Sequence, residues 1–380
     1  MSAENPASPV ISVAVMAHPS RKDAAERVAE RLACFDARVV FDPEPDAPPS
    51  AMRTARLAWR AHDPSATHHL VVQDDITVPD GFEEALTAAV RLQPERVFNV
   101  WNEWTNRSGA AIRLAAYSEA DWAPVSDRSV VAVAVVMPTA MIADFLDYLP
   151  RHPDDRDSGA LFEFLRMRGE VALTTVPCLV QHDEPMVDSL WRRNLDQGPR
   201  RAAVYPGKVS AESLTNVDVV RFGCLPYLPL ETLSSAVAAP RPGIAEFELR
   251  SGVDCLRVLE ETRETMSERF MDEVFSEVVE LRRDLSPAHL FHAWLTAVFS
   301  GYEVFASYGR APRVDGEVVE LALRSLLVGA LKRTLPVRTL DRLGDANVGW
   351  LGRGLSLGAD YARKSRVRSG LVPPLAVADG

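Results

Sequence analysis

Two adjacent carboxylates follow a run of apolar residues in His69-Leu70-Val71-Val72-Gln73-Asp74-Asp75. Such a run reads as a buried strand, and in open α/β sheets ligands bind outside the carboxyl ends of the strands. Two anions placed together there need a cation or hydrogen-bond donors to compensate them. Oxygen ligands suit Mg²⁺ or Mn²⁺, which shares its coordination with substrate phosphates, so Asp74 and Asp75 are candidates for a metal and diphosphate site. An aspartate pair at this place also caps a following turn, and that reading stands beside the first.

Other chemistry-bearing residues fall at matching places. Arg21 follows the first expected strand, in His18-Pro19-Ser20-Arg21, Asp42 ends the second, and Arg53 and Arg56 stand i, i+3 on the helix after it. In a parallel sheet all of them gather at one crevice with Asp74 and Asp75. The arginines would grip a diphosphate, and Asp42 would accept from a ribose hydroxyl or a base N–H. The alternative for each arginine is a solvated helix face. His182 ends a later strand, where an imidazole can complete a site of oxygen ligands. Asp155 and Asp157 precede a helix, where carboxylates also serve as caps.

The elements that must position these residues are legible in outline. Apolar runs at 11–17, 38–42, 69–73, 96–101, 129–137 and 171–180 alternate with helical spacing at 21–33, 50–61, 138–149 and 158–168. This is the pattern of an α/β domain with a sheet covered on both faces. A Pro/Ala-rich stretch at 236–243 reads as a linker. Beyond it the period becomes helical, with Phe270, Val274, Val278 on one helix, Phe291, Trp294, Val298 on a second and Leu323, Leu326, Leu327 on a third. The expected domains are thus 1–240, a helical 241–368 and a loose tail 369–380.

The order of these features resembles bacterial glycosyltransferases of the GT-A fold. The resemblance is carried by His18-Pro19 with Arg21, the strand ending in Asp42, Arg53 and Arg56 with Ala58-Trp59, and Leu70-Val71-Val72-Gln73-Asp74-Asp75. It continues in Gly109 to Arg113 with Trp122, in Val135-Val136-Met137-Pro138, and in Val176-Pro177-Cys178-Leu179-Val180-Gln181-His182. It implies a Rossmann-like mixed sheet flanked by helices, a nucleotide-sugar donor and a divalent cation held by a DxD-like motif. Here the motif is Gln-Asp-Asp, so Asp74, Asp75 or both would bind the metal. The resemblance further implies that His182 is a distant metal or diphosphate ligand. It makes Asp155 or Asp157 the base that deprotonates an acceptor hydroxyl, the acceptor being a small molecule, a glycan or a peptide. Trp101, Trp104 and Trp122 are candidates for stacking on a sugar face. It covers roughly residues 11–207 and leaves the helical region unexplained; that region could dimerise, grip an acceptor or touch a membrane surface.

Composition narrows the classes. The chain has 380 residues, 47% hydrophobic and 25% charged, an ordinary globular balance. Its 42 Lys and Arg against 53 Asp and Glu leave a net charge of −11, which repels a nucleic-acid backbone. Four cysteines, Cys34, Cys178, Cys224 and Cys255, form no CxxC pair, and reduced thiols in a cytoplasmic protein are expected. No export signal or membrane-spanning run is evident. A sugar nucleotidyltransferase would use the same core, but such enzymes open with a Gly-rich loop where this chain has His18-Pro19-Ser20-Arg21. A non-catalytic scaffold would bind no nucleotide.

Overall fold

The computed structural model describes residues 8–48, 50–151, 156–182 and 198–365. The first elements are strand β1 (Ile11–Ala17), helix α1 (Lys22–Arg31), β2 (Arg38–Phe41), α2 (Ala51–Arg60), β3 (His68–Gln73), β4 (Ile76–Thr77), α3 (Phe82–Leu92) and β5 (Phe98–Asn99). Next come α4 (Arg107–Ser118), β6 (Trp122–Pro124), β7 (Ala134–Pro138), α5 (Thr139–Tyr148), α6 (Asp157–Met167), β8 (Leu173–Thr175) and β9 (Gln181–His182). The chain continues through β10 (Leu225–Tyr227), β11 (Ala236–Pro240) and β12 (Phe247–Ser251). Helices α7 (Arg263–Glu273), α8 (Pro287–Tyr308), α9 (Glu317–Ala330) and α10 (Val337–Lys364) follow. The protein is therefore mixed α/β with a C-terminal helical region. It forms two compact units. One is Met1–Asn102 with Arg128–Arg192 and Gly207–Val217; the other is Glu103–Asp127 with Arg193–Pro206 and Asp218–Gly380.

In the first unit the strands run β2-β1-β3-β7-β5-β8. The β-branched run of β1 is buried on both faces and pairs in parallel with β2 and β3, for example Val13 with Leu70 and Val15 with Val39. Helix α2 covers it through Met52, Ala55, Ala58 and Trp59, a spacing that places all four on one face. Ser50 starts that helix, its Oγ accepting from the Arg53 amide at 3.3 Å. Thus β1, β2 and β3 deliver their carboxyl ends to one edge. The sheet is mixed, since β7 runs antiparallel to both β3 and β5. An apolar run encodes burial, not direction, so the sequence did not distinguish the two.

The second unit corrects the expected domain boundary. The stretch read as a linker contains β11, the central strand of an antiparallel sheet β10-β11-β12, with Val237 opposite Arg250 and Ala239 opposite Glu248. Val237, Ala238 and Ala239 are buried, and Pro240 closes the strand, where its missing N–H does least harm. Strands from both sides of residue 240 share one sheet, so no boundary lies there, and the C-terminal region is not purely helical. Helix α4 belongs to this unit and is buried along nearly its whole length. Helix α10 was not foreseen, and glycines explain why. Gly354 and Gly358 stand i, i+4 on it facing α8, and a Cβ at Gly358 would lie 1.8 Å from the Val298 carbonyl oxygen. Glycine disfavours an isolated helix but lets two backbones approach closely. The expected tail 369–380 lies outside the described residues.

Candidate active site

After β1 the chain turns through Pro19–Arg21, with the His18 imidazole accepting from the Ser20 amide at 3.2 Å. This turn carries Arg21 to the end of β3, where its Nε lies 3.1 Å from Oδ1 of Asp74. Asp74 is 7% exposed. Burial pushes its carboxyl up to about 7, the neighbouring charge of Asp75 adds to the rise, and Arg21 opposes it. The Arg21 guanidinium thus faces Asp74. Oδ1 of Asp75 is buried without a hydrogen-bond partner, an orphaned acceptor that a hard cation or a donor would satisfy.

His182 reaches this place through a pairing too short to read from sequence. Strands β4 and β9 form an antiparallel two-stranded ribbon, Ile76 opposite His182 and Thr77 opposite Gln181. This sets the His182 imidazole, wholly buried, with Nε2 3.4 Å from Oδ2 of Asp75, an ion pair only when the ring is protonated. Trp101 packs beside it, ring centroids 5.7 Å apart. Gln181 accepts from its own neighbour's amide, His182 N, at 3.1 Å through its side-chain oxygen, and the Trp101 indole N–H approaches the same oxygen at 3.5 Å. Trp101 and Gln181 thus hold His182 in place. The sequence offered Trp101 as a sugar platform, but it is fully buried, as is Trp122, while Trp104 is 4% exposed. All three are core residues.

Three of the remaining residues, Asp42, Arg53 and Arg56, find partners within the protein that the sequence did not record. Asp42 and Arg53 meet in a bidentate pair, Nε to Oδ1 and Nη2 to Oδ2 both at 2.6 Å, and Oδ1 also accepts from the Glu44 amide at 3.1 Å. The Arg53 contact holds the Asp42 carboxyl below its usual range. Arg53 further donates to the carbonyl oxygens of Glu44 and Pro48, so the pair anchors the segment after β2. Arg56, one turn on, donates to the Leu149 carbonyl oxygen at 3.2 Å and ties α2 to the end of α5. Helical spacing set its face, while a backbone acceptor from a distant segment took its charge.

Asp157 opens α6 and is 6% exposed; its Oδ1 accepts from the Ser158 amide at 2.9 Å. Burial raises its carboxyl to about 6, so at neutral pH it is ionised yet close to the range of a useful base. Asp155 lies outside the described residues. Among the described residues no group of three or more His, Cys, Asp or Glu side chains is gathered to hold a metal ion, and no helix is long and apolar enough to cross a membrane. Neither the protein-family models nor the curated proteins compared with the sequence give a match.

Proposed function

We propose that the chain is a metal-assisted glycosyltransferase that moves a sugar from a nucleotide-diphosphate donor to a hydroxyl or other nucleophile of an acceptor. One observation carries the reading. Two adjacent carboxylates end a buried strand, one facing Arg21 and the other His182, and one buried carboxylate oxygen is left with no partner. A structural cap would have its acceptors satisfied; a site awaiting a cation would not.

The donor set fits a hard cation. Carboxylate oxygens of Asp74 and Asp75 would hold Mn²⁺ or Mg²⁺, with His182 behind Asp75 fixing its orientation, and the remaining positions would go to water and the donor's phosphates. When bound, the cation would neutralise charge on the departing diphosphate. Arg21 would move its contact from Asp74 to a phosphate oxygen, which a guanidinium matches bidentately. Asp157 would accept the acceptor's hydroxyl proton as the new bond from that oxygen to the sugar carbon forms. The bond from that carbon to the diphosphate breaks as the new one forms, with its electron pair leaving on the phosphate oxygen.

Calorimetry of nucleoside diphosphates with and without Mn²⁺ tests the proposal. Binding is expected to require the metal, and Asp75→Ala should weaken both metal and nucleotide by at least about 10-fold, the scale on which losing a ligand or its support weakens a metal site. Nucleotide binding that is independent of Mn²⁺ and unchanged by replacing Asp74 and Asp75 together would overturn it.

A further inference from the structure

The sheet of the second unit ends on an open strand. In the order β10-β11-β12, β12 has a neighbouring strand on one side only. Along the β11–β12 pair the Gly252 amide donates to the Ser235 carbonyl oxygen at 2.7 Å, and the Arg241 amide donates to that of Glu246 at 2.9 Å. Bonded pairs alternate with unbonded ones in an antiparallel ladder. The pairs in step with these two, Glu248 opposite Ala239 and Arg250 opposite Val237, therefore turn the N–H and C=O of Glu248 and Arg250 toward β11. Phe247 and Leu249 turn theirs outward, as does the Ser251 N–H. Among the described residues no backbone hydrogen bond reaches Phe247 or Leu249 from that side. Leu249, at the middle of the strand, is 57% exposed.

An open edge is a template for another strand, and folded proteins usually blunt it with proline or charge. Strand β12 has no proline, and its charges select a partner. Glu248 and Arg250 flank Leu249 on the face opposite to it, with Nε of Arg250 3.3 Å from Oε1 of Glu248. Arg241 holds the other oxygen of Glu248 at 2.9 Å. An antiparallel copy of β12 must set outward-turned residues against outward-turned residues, so Leu249 can face only Phe247, Ser251 or itself. Facing Phe247, it brings Glu248 against Glu248. Facing Ser251, it brings Arg250 against Arg250. Facing itself, it sets each Glu248 against the other copy's Arg250, at the unbonded position where side chains lie closest, and covers the exposed leucine with its twin.

We propose that two copies of the chain join β12 to β12 about a two-fold axis at Leu249, making one continuous sheet from two three-stranded ones. The strand is self-complementary in charge and in apolar contact, as a two-fold interface requires. The inference uses no residue of the transfer site, so the two stand or fall separately.

Analytical ultracentrifugation of the full chain tests it. The wild type should pass from monomer to dimer as its concentration rises to about 100 µM, the range of a small interface. Glu248→Arg leaves only cations on that face of β12 and Arg250→Glu only anions, so each variant alone should dimerise more weakly by about 10-fold or more. An equimolar mixture of the two should recover a dimer, because every cation then faces an anion. Hydrogen exchange of the wild type needs no variant: the Leu249 amide should exchange more slowly at dimeric than at monomeric concentration. A wild type that stays monomeric, its edge left to an extended segment of some other protein, would overturn the proposal. So would a dimer that both variants keep, a mixture that stays monomeric, or unchanged exchange at Leu249.

Discussion

Asp74 is held against its own ionisation. Its carboxyl, pushed up to about 7, lies above its ordinary value of 3.8, so the native chain binds that proton more tightly than the unfolded chain between roughly pH 4 and 7. The group's contribution to stability is therefore greatest at the acid end and is lost as pH rises through 7. Asp74→Asn removes the dependence. Denaturation in urea should find the variant gaining on the wild type from pH 5 to pH 8 by about 1–3 kcal/mol; a flat difference would mean that Asp74 is not desolvated. At Asp157 a raised carboxyl is read as a base. Asp157→Asn should leave nucleotide binding intact and cut turnover by about 10²-fold, checked by initial rates beside calorimetry. Asp74, Asp75 and Arg21 stand at one strand edge because each follows an apolar run and β1 and β3 pair in parallel. Asp42, Arg53 and Arg56 stand on the elements the sequence assigned them, but their partners are one another or a carbonyl 93 residues away. No local pattern records such partners.

At the scale of elements, long periodic segments were legible and short or glycine-containing ones were not. Helices α8 and α9 follow from apolar spacing, whereas β4 and β9 are two residues each and exist because they pair. Helix α10 has glycines where a propensity argument predicts a break. Two of them test the packing account with opposite signs. Gly358→Ala drives a methyl group into the Val298 carbonyl and should cost about 1–3 kcal/mol or more. Gly349 is exposed with nothing within 4 Å of its would-be Cβ, so Gly349→Ala should stabilise by about 0.5–1 kcal/mol. Thermal unfolding of the two variants reads both; equal effects would refute close backbone approach as the reason for Gly358.

At the scale of the molecule, both units are assembled from separated stretches of chain. A fragment of residues 241–365 contains β12 without β10 and β11, and α8 and α9 without α4. It should be aggregated or largely unfolded by circular dichroism and gel filtration, whereas residues 103–365 retain every described residue of the second unit. A folded, monomeric 241–365 fragment would restore the boundary at 240. The discontinuity also sets an order of events during synthesis. Helix α4, buried along nearly its whole length in the folded chain, leaves the ribosome long before α8, α9 and α10 exist to cover it. For that interval it is an uncovered greasy segment on a nascent chain, the state in which contacts with chaperones compete with contacts between copies.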